Sequence, residues 1–477
     1  MKKIFLLIFA SSIFLTACDK DFGDLNVDKK RPAEVAPGPL FANATREMTD
    51  AVTNSNVNRN IFRLISQYWT ETTYTDESNY DLTTRNIPQN FWNAVYVNVI
   101  KNLTEAQSLI DGQDPVFVSN EVKKNEHAAT EIMLVYAYST LVNVYGDIPY
   151  SEAMNIDNVF PKYDNARSIY DDLLNRLDAA IASIDESAGG YGSNDLLFGD
   201  NMTGWKRFGT SLQLRLAMML ADVDNAKAQS IISKINLDYV ITENSENAVF
   251  QYLAGPPNTN PIWVDLVQSG RKDFVAANTL VDEMASLNDP RVPYYFTTDA
   301  DGAYTGGTYG ASNNYASYSK PADRILVSNF EALLFDAAEG NFLLAEAVER
   351  GYIDGSAADY YNAAITASMQ YWRVPASEIA AYLAQPEVAY DTAPGDWKQK
   401  IGLQKWIALY NRGIEGWTEW RRLDAPALVA PADAVSDIPL RFTYPIQEQT
   451  LNKENYAAAS DAIGGDDVST KLFWDVY

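Results

Sequence analysis

Two stretches of the 477-residue chain combine aromatic side chains with hydroxyls, amides and carboxylates, a mixture typical of carbohydrate-binding surfaces. One runs from Gln67 to Tyr80, the other, which is Gly-rich, from Asp301 to Lys320, and neither has the period of a helix or strand. Aromatic rings stack on the apolar faces of sugar rings, and Asn, Asp and Thr side chains hydrogen-bond sugar hydroxyls. The candidate ligand-binding residues are Trp69, Tyr74, Asn79, Tyr80, Tyr304, Tyr309, Asn313, Tyr315 and Tyr318.

The alternative for each of these aromatics is that it anchors a long loop to the protein body. The stacking hypothesis makes a prediction that the anchoring alternative does not. If Trp69 and Tyr309 are loop residues that stack on a ligand, Trp69→Ala or Tyr309→Ala weakens ligand binding by about 1–3 kcal/mol and leaves the fold intact.

The sequence contains too few histidines and cysteines for most catalytic mechanisms. The chain has one histidine, His127, and one cysteine, Cys18. A Ser-His-Asp triad would therefore need His127, which we expect at the surface near a helix start, and a zinc site would need carboxylates almost alone. No P-loop, dinucleotide-binding glycine motif or EF-hand loop occurs in the sequence, and no cofactor is expected. Carboxylate pairs for glycoside hydrolysis stay open, because 63 acidic residues offer many pairs.

The net charge narrows the choice of partners. The chain has 37 Lys and Arg against 63 Asp and Glu, a formal charge of −26. Nucleic acids need a basic surface, and anionic lipids need a polybasic patch, so both are excluded as direct partners.

The N-terminus predicts lipid anchoring. Lys2 and Lys3 precede a mostly apolar run from Ile4 to Leu15, which is too short to span a bilayer. Leu15-Thr16-Ala17-Cys18 resembles a bacterial lipobox, with Cys18 as the lipidated N-terminus of the mature protein. The alternative is an ordinary secretory signal with a chance cysteine.

Three regions follow from this pattern: a signal peptide over residues 1–17, a lipidated N-terminus and extended tether over 18–38, and a single ligand-binding domain over 39–477. Pro32, Pro37 and Pro39 disfavour a helix in the tether. The acidic residues after Cys18 resemble the export signal of lipoproteins that face the cell exterior.

The body of the chain is predicted to be mainly α-helical. Helices are predicted over Phe91 to Ile110, Ser168 to Ile184, Ala332 to Arg350 and Ala357 to Tyr371, and a fully buried one over Ile132 to Val144. Trp205, Phe208, Leu212, Leu216 and Met219 share one helix face. Trp92, Tyr96, Trp205, Tyr361 and Trp406 have helical spacing and are expected in the core. Short strands are predicted at Ala248 to Tyr252, Arg324 to Val327 and Leu440 to Tyr444.

A partial internal repeat indicates helix pairs. One stretch looks like a tetratricopeptide helix pair. Its first helix includes Gly340 to Arg350, a turn follows at Gly351, and its second helix, with Ser356 as N-cap, contains Tyr360 to Ala364. A second predicted helix pair, Ala128 to Tyr145 with Ile169 to Ile184, has a similar sequence pattern. No 34-residue period runs through the chain, so we predict helix pairs with long loop insertions and few strands.

Several motifs together resemble the SusD/RagB-like nutrient-binding lipoproteins, in their second SusD-like subfamily. They occur in the family's order: the lipobox with Phe22 to Asn26, Tyr145 to Ala153, Thr203 to Phe208, Asn288 to Arg291, Phe342 to Ala347 with Arg350-Gly351, and Arg441 to Glu448 with Asn452 and Asn455.

The resemblance implies a mainly helical fold built on four tetratricopeptide-like helix pairs. It implies an outer-membrane lipoprotein that is not an enzyme, captures a glycan or sometimes a peptide, and passes it to a SusC-like TonB-dependent β-barrel transporter. It also implies that Tyr145, Gly146, Asp147 and Pro149 maintain the scaffold.

Three other functions remain open at this point. They are a peptide-binding member of the same family, a surface-anchored carboxylate-dependent glycosidase, and an adhesin-like structural lipoprotein. Turnover of substrate would distinguish the enzyme, and co-purification with a barrel would exclude a free-standing adhesin.

The lipobox makes a direct prediction. Cys18→Ala removes the thiol to which the lipid would be attached, so the variant should be neither lipidated nor retained on cells. Metabolic labelling with a radioactive fatty acid and fractionation of the membranes measure both properties. Normal membrane retention of the variant would contradict the lipoprotein assignment.

Overall fold

The computed structural model describes residues 35–477, about half of them in helices that pack against one another. The signal peptide, Cys18 and most of the expected tether lie outside the described residues. Within 35–477, no helix combines the length and the apolar character that crossing a membrane requires. The helices are α1 (Pro37–Thr53), α2 (Phe62–Ile65), α3 (Ile87–Asn93), α4 (Lys101–Ile110), α5 (Asn120–Tyr145), α6 (Ala166–Ser183), α7 (Met202–Met219), α8 (Asn225–Ile232), α9 (Pro261–Trp263), α10 (Asn278–Ser286), α11 (Val292–Tyr295), α12 (Ala337–Glu349), α13 (Ala357–Tyr371), α14 (Ala376–Leu383), α15 (Trp397–Ala408), α16 (Gly413–Leu423), α17 (Ile446–Leu451) and α18 (Lys453–Ala462).

Short non-α turns connect or extend several helices. A π-helical turn over Ala94–Ile100 joins α3 to α4, and another over Val264–Gln268 continues α9. Turns of 3-10 helix span Gly192–Asn194, Leu237–Tyr239 and Asn244–Glu246.

The first helix begins earlier than the proline pattern predicted. Pro37 and Pro39 lie in the first turn of α1, although residues up to 38 were expected to be extended. The first turn of a helix has N–H groups without intrahelical partners, so a proline there loses no hydrogen bond. Phe41 and Met48, on the buried face of α1, are both 0% exposed.

Three two-stranded antiparallel sheets connect distant loops of the described chain. The strands are β1 (Trp69–Glu71), β2 (Ile148–Pro149), β3 (Tyr163–Asp164), β4 (Ala248–Phe250), β5 (Phe274–Ala276) and β6 (Ala332–Phe335). Trp69 pairs with Ala276, Ile148 with Asp164, and Ala248 with Phe335, which sets the register of each sheet.

Three sequence predictions of secondary structure were wrong. Ala332 to Phe335 is a strand, because α12 begins only after Asp336, whose carboxylate caps the N–H of Glu339. Arg324 to Val327 forms a turn. Leu440 to Tyr444 is a bend followed by irregular backbone and not a strand. Phe442 N donates to Val144 O at the end of α5, and Leu440 N donates to Val468 O.

The predicted helix pairs are confirmed. α5 packs on α6, and α12 packs on α13. Ser119 and Ser356 accept N-cap hydrogen bonds at the starts of α5 and α13. Gly351 has φ +70° after α12, a left-handed conformation that glycine adopts without a steric penalty.

The predicted aromatic core is also confirmed. Trp92, Tyr96, Trp205, Tyr361 and Trp406 are each no more than 6% exposed. The stripe on α7 is buried along its full length, and every residue from Ile132 to Tyr145 of α5 is buried. Periodicity identified these residues because burial on one helix face repeats every 3.6 residues.

Two family-like motifs meet at the end of α5. The guanidinium of Arg441 donates two hydrogen bonds to Tyr145 O, at 3.1 and 2.9 Å, and one to Asp466 Oδ1 at 2.7 Å. Asp147 Oδ1 accepts from the N–H of Ala166 and so holds the start of α6. These contacts support a scaffold role for the Tyr145 to Pro149 turn.

A buried network of ion pairs joins α7, α12, α15 and α16. Arg215 and Arg412 both contact Glu339, at 2.5 and 2.7 Å, and Arg422 and Arg350 both contact Glu346. The side chains of Glu339 and Glu346 are 1% and 0% exposed. We call this set, with the further members Asp222, Asp336, Lys405, Glu415 and Glu419, the buried charge network.

The pairing outweighs burial for some of these carboxylates. Burial opposes ionisation of Glu419, yet Arg422 and Lys405 beside it lower its pKa to about 2. Burial likewise opposes ionisation of Glu339, and Arg215 and Arg412 bring its pKa below the ordinary value. These carboxylates are therefore charged at neutral pH.

Removing one partner from this network should be costly. Glu339→Ala leaves Arg215 and Arg412 short of a buried counter-charge, so we expect the free energy of unfolding to fall by about 3–5 kcal/mol. Urea unfolding followed by circular dichroism measures the change. Glu349→Ala, the same substitution at an exposed position of α12, is the control and should cost less than about 1 kcal/mol. Equal losses in both variants would contradict the role given to the network.

Candidate ligand-binding site

The site is built around β5, which lies between the two aromatic stretches. On one side β5 pairs with β1, from the first stretch. On the other side Ala276 contacts the second stretch, since its carbonyl accepts from Gly307 N and its N–H donates to Ser319 O, both at 2.8 Å. The tertiary structure thus brings together two segments more than 200 residues apart.

Direct hydrogen bonds also join the two stretches. Thr72 O accepts from Asn313 N at 2.8 Å and from Ser312 Oγ at 2.9 Å. Asn79 Nδ2 donates to Gly310 O at 2.7 Å, and Gly310 N donates to Thr70 Oγ1 at 3.1 Å. The two aromatic stretches are one structural unit.

Five of the nine predicted ligand-binding residues lie inside this unit and not on its surface. They are Trp69, Asn79, Tyr80, Tyr309 and Asn313, which are between 1% and 8% exposed. A sugar ring cannot stack on a face that protein atoms already cover, so the burial of Trp69, Tyr80 and Tyr309 favours the alternative that these rings anchor the loops. Ligand contact by any of the five stays a prediction that their burial does not support.

Hydrogen bonds show what the buried residues do. Trp69 Nε1 donates to Tyr410 Oη at 2.9 Å, and Tyr309 Oη donates to Leu64 O at 2.6 Å. Asn313 Nδ2 lies within hydrogen-bond distance of three carbonyl oxygens, the nearest being Ala311 O at 2.7 Å. Burial raises the pKa of Tyr309 well above its ordinary value, so this hydroxyl stays protonated as a donor.

The other four predicted residues are exposed or half-buried, and we call them the tyrosine rim: Tyr74, Tyr304, Tyr315 and Tyr318. Tyr74 is 72% and Tyr304 37% exposed. Tyr74 and Tyr315 each lie two residues from the Thr72–Asn313 hydrogen bond. Tyr304 and Tyr318 are neighbours of Thr305 and Ser319, whose N–H groups bond across the loop. A ligand-binding role for the rim stays a prediction.

Two lysines lie over one ring of the rim. Lys272 Nζ is 5.6 Å and Lys320 Nζ is 5.3 Å from the ring centroid of Tyr315. Ammonium groups are attracted to the face of an aromatic ring at such distances. Burial raises the pKa of Tyr315, so its hydroxyl is protonated at neutral pH. Two ammonium groups therefore lie near this ring, and they can donate hydrogen bonds to a ligand rich in oxygen atoms.

The sequence analysis missed a third segment of this surface. The loop after α16 is attached to the first stretch, because Gln67 Nε2 donates to Val429 O at 2.8 Å and Val435 N donates to Asn79 O at 3.0 Å. Val429 and Val435 are 76% and 70% exposed, so apolar surface continues from the unit. The Pro- and Ala-rich composition of this segment signals a loop, but no feature of its sequence signals proximity to Tyr80.

Glycines allow the close approach of these segments. A Cβ at Gly306 would lie 2.4 Å from Asn278 Cα, and one at Gly310 would lie 2.3 Å from Pro431 Cβ. Gly310 also has φ +76°, which other residues rarely adopt. The Gly-rich composition of the second stretch thus serves packing.

A pair of buried carboxyl groups lies under the first stretch. Glu71 and Glu77 are 4% and 0% exposed and lie close enough for the charge of Glu77 to act on Glu71. Glu71 Oε2 accepts from Ser78 N at 2.8 Å, and Glu77 forms an ion pair with Arg85. Burial first, and then the charge of Glu77, raise the pKa of Glu71 to about 9. Glu71 therefore holds a proton at neutral pH.

The described residues offer no evident metal centre: nowhere in 35–477 do three or more His, Cys, Asp or Glu side chains gather as potential ligands of an ion. His127, the one histidine, lies 3.0 Å from Asp111 Oδ1 and far in sequence from the rim.

The fold and the site together define a mainly helical protein in which hydrogen bonds join two loop stretches, and these stretches carry the tyrosine rim. Residues 29–445 match the family model of the second SusD-like subfamily, described as "Starch-binding associating with outer membrane". The chain belongs to this SusD-like family. No curated protein matches the chain significantly.

Solved structures share the fold over nearly the whole chain. A chitin-binding protein is 25% identical, with a TM-score of 0.81 over 92% of this chain and 100% of its own. A chitin-binding SusD homologue from Flavobacterium johnsoniae is also 25% identical, with a TM-score of 0.77 over 92% and 97%. A SusD homologue from Bacteroides uniformis, 24% identical, has a TM-score of 0.78 over 92% and 99%.

The buried anchors give a prediction that replaces the original one. Trp69→Ala removes a ring that packs on Phe274 and bonds Tyr410, so it should lower the free energy of unfolding by about 3–5 kcal/mol. Tyr74→Ala, at an exposed position of the same stretch, is the control and should change stability by less than about 0.5 kcal/mol. Thermal and urea unfolding measure both, and wild-type stability of Trp69→Ala would contradict the anchoring role.

The carboxyl pair predicts a pH dependence of stability. Glu71 has a pKa of about 9 in the folded state and 4.5 as its ordinary value, so unfolding releases a proton between these pH values. Its contribution to stability is therefore complete below about pH 4.5 and is lost as the pH rises towards 9. Glu71→Gln keeps a neutral side chain, so its melting temperature should fall less than that of the wild type between pH 6 and 9.

The control for this prediction is Glu105→Gln, at an exposed position of α4. It should follow the wild-type profile of melting temperature against pH. Parallel profiles for Glu71→Gln and the wild type would show that Glu71 is not protonated in the folded protein.

Proposed function

We propose that this protein captures an oligosaccharide at the cell surface, without catalysis, and delivers it to a partner TonB-dependent β-barrel transporter. The observation that supports it most is the tyrosine rim, which the hydrogen bonds between the two stretches hold in place on a SusD-like scaffold. Tyrosines in a rigid loop unit lose little conformational entropy when a ligand binds.

The chemistry of the rim favours a sugar. The rings provide apolar faces, and the hydroxyls, Lys272 and Lys320 provide donors for sugar oxygens. Two structural relatives at 25% identity are chitin-binding proteins. Oligomers of N-acetylglucosamine are therefore the first ligands to test, with other neutral oligosaccharides beside them.

A glycosidase would need two carboxyl groups that reach the bond to be broken. Glu71 and Glu77 are two neighbouring carboxyl groups, but they are 4% and 0% exposed, and Arg85 and Ser78 already bond to them. A substrate cannot reach this pair, so its role is to stabilise the loop. The proposal assigns no catalytic step to the protein.

Lipidation at Cys18 would anchor the protein in the outer membrane, facing outward, where a ligand and a barrel are both accessible. This part of the proposal is supported by the lipobox and by the family's association with the outer membrane. Affinity purification of the full chain from outer membranes of its native host should recover a SusC-like barrel. Recovery of the chain alone would contradict the delivery step.

A peptide is the second candidate ligand. Exposed Val429 and Val435, whose backbone groups bond Gln67 and Asn79 of the first stretch, would suit apolar side chains. Titration with unstructured peptides in parallel with oligosaccharides decides between the two ligand classes.

The site itself is tested by replacing rim residues. Tyr315→Ala and Tyr74→Ala should each weaken binding of chitohexaose by about 1–3 kcal/mol, because stacking and desolvation are lost. Calorimetric titration of the full chain in detergent measures the affinity, and chromatography afterwards checks the ligand for cleavage. Tyr477→Ala, at an exposed position outside both stretches, is the control.

Three results would contradict the proposal. Unchanged affinity in both rim variants would overturn the site, and cleavage of the ligand would overturn the binding-only role. Binding of peptides but no oligosaccharide by the wild type would replace the sugar by a peptide.

A further inference from the structure

A second concave site lies between the start of α3 and the α17–α18 region. It is a cleft of about 300 Å³, with Leu82, Thr83, Asn86, Pro88 and Gln89 on one wall and Thr443, Tyr444, Pro445, Ile446, Gln449, Tyr456 and Asp466 on the other. Ligand pockets in proteins span about 300–1,000 Å³, so this volume suits a short segment of a ligand. We call it the C-terminal cleft.

Aromatic rings and a fixed carboxylate form one side of the cleft. The rings of Tyr444 and Tyr456 are 6.0 Å apart and nearly perpendicular. Asp466 Oδ1 accepts from Arg441 Nη1 at 2.7 Å and from Tyr444 N at 2.9 Å, and Asp466 Oδ2 accepts from Tyr456 Oη at 3.2 Å. These groups are held in place before any ligand binds.

The remaining lining is uncharged and combines polar side chains with the apolar residues Leu82, Pro88 and Pro445. It includes the hydroxyls and amides of Thr83, Asn86, Gln89, Thr443 and Gln449. Ile446, at the edge, is 51% exposed. Such side chains donate and accept hydrogen bonds equally, as sugar hydroxyls do.

The charge of the cleft excludes the other ligand classes. Of the described residues that line it, only Asp466 is charged, and Arg441 already compensates that charge. An anionic ligand finds no cation among the lining residues, and a cationic ligand finds no free carboxylate. An apolar side chain would remove water from the amides without replacing their hydrogen bonds, which is costly.

We infer that the C-terminal cleft is a second carbohydrate site, which binds a neutral sugar segment between Tyr456 and Gln449 independently of the tyrosine rim. The inference rests on the proposed function in its ligand class, an oligosaccharide, but not in its residues, since no rim residue lines the cleft.

Matched variants test the cleft. Gln449 is half-buried in the cleft wall on α17, and Gln447 is exposed on the same helix and does not line the cleft. Gln449→Ala and Tyr456→Ala remove cleft groups, and Gln447→Ala is the control for the same substitution outside the cleft. Gln449 makes no side-chain hydrogen bond within the described residues, so its variant tests binding without disturbing the fold.

The full chain in detergent is titrated calorimetrically with chitohexaose, cellohexaose and maltohexaose. We expect the two cleft variants either to lose one of two binding events or to bind one of these sugars about tenfold more weakly. Gln447→Ala should bind as the wild type does. Tyr315→Ala should affect the other event.

The outcomes separate the two proposals. Wild-type affinity and stoichiometry in both cleft variants, with weaker binding by Tyr315→Ala, would overturn the cleft and leave the proposed function standing. Weaker binding by the cleft variants alone would support the cleft and overturn the rim. If the wild type binds none of the three sugars, both proposals fail.

Discussion

The buried charge network is the constraint on which the rest of the structure depends. Glu339 and Glu346 are buried in α12, so Arg215, Arg412 and Arg422 must reach them from α7 and α16. The position of α16 in turn sets the first aromatic stretch. Ser66 Oγ donates to Gly413 O, and a Cβ at Gly416 would overlap Tyr68 Oη, so α16 meets the residues just before β1 without a gap.

Strand β1 connects the buried charge network and α16 to the candidate site. β1 holds β5, and β5 holds the second stretch through Gly307 and Ser319. The aromatic residues of this unit fall into two groups. Those whose polar atoms hydrogen-bond to the protein are buried, as the bond from Trp69 to Tyr410 illustrates, and the others face solvent. A ligand surface on such a rigid base is formed before the ligand arrives, which reduces the entropy lost on binding.

Local patterns predicted much of the fold. The stripe from Trp205 to Met219, the buried helix at Ile132 to Val144 and the cap at Ser356 were all identified from spacing, because helix period and capping are properties of neighbouring residues. The failures were non-local. Ala332 to Phe335 has a composition typical of a helix but pairs as a strand with Ala248 to Phe250. That partner is more than 80 residues away, so the neighbouring sequence cannot predict the pairing.

The sequence by itself determined the class of protein, because ordered motifs indicated the SusD-like family that the family model confirms. It also located both loops that form the candidate surface. Only the tertiary structure decided which of their side chains a ligand can reach. Trp69 and Tyr74 have the same kind of neighbours in the chain, yet one is 1% and the other 72% exposed. Exposure depends on what packs against a residue from elsewhere, here Tyr410 and Phe274, and that contact is absent from any local pattern.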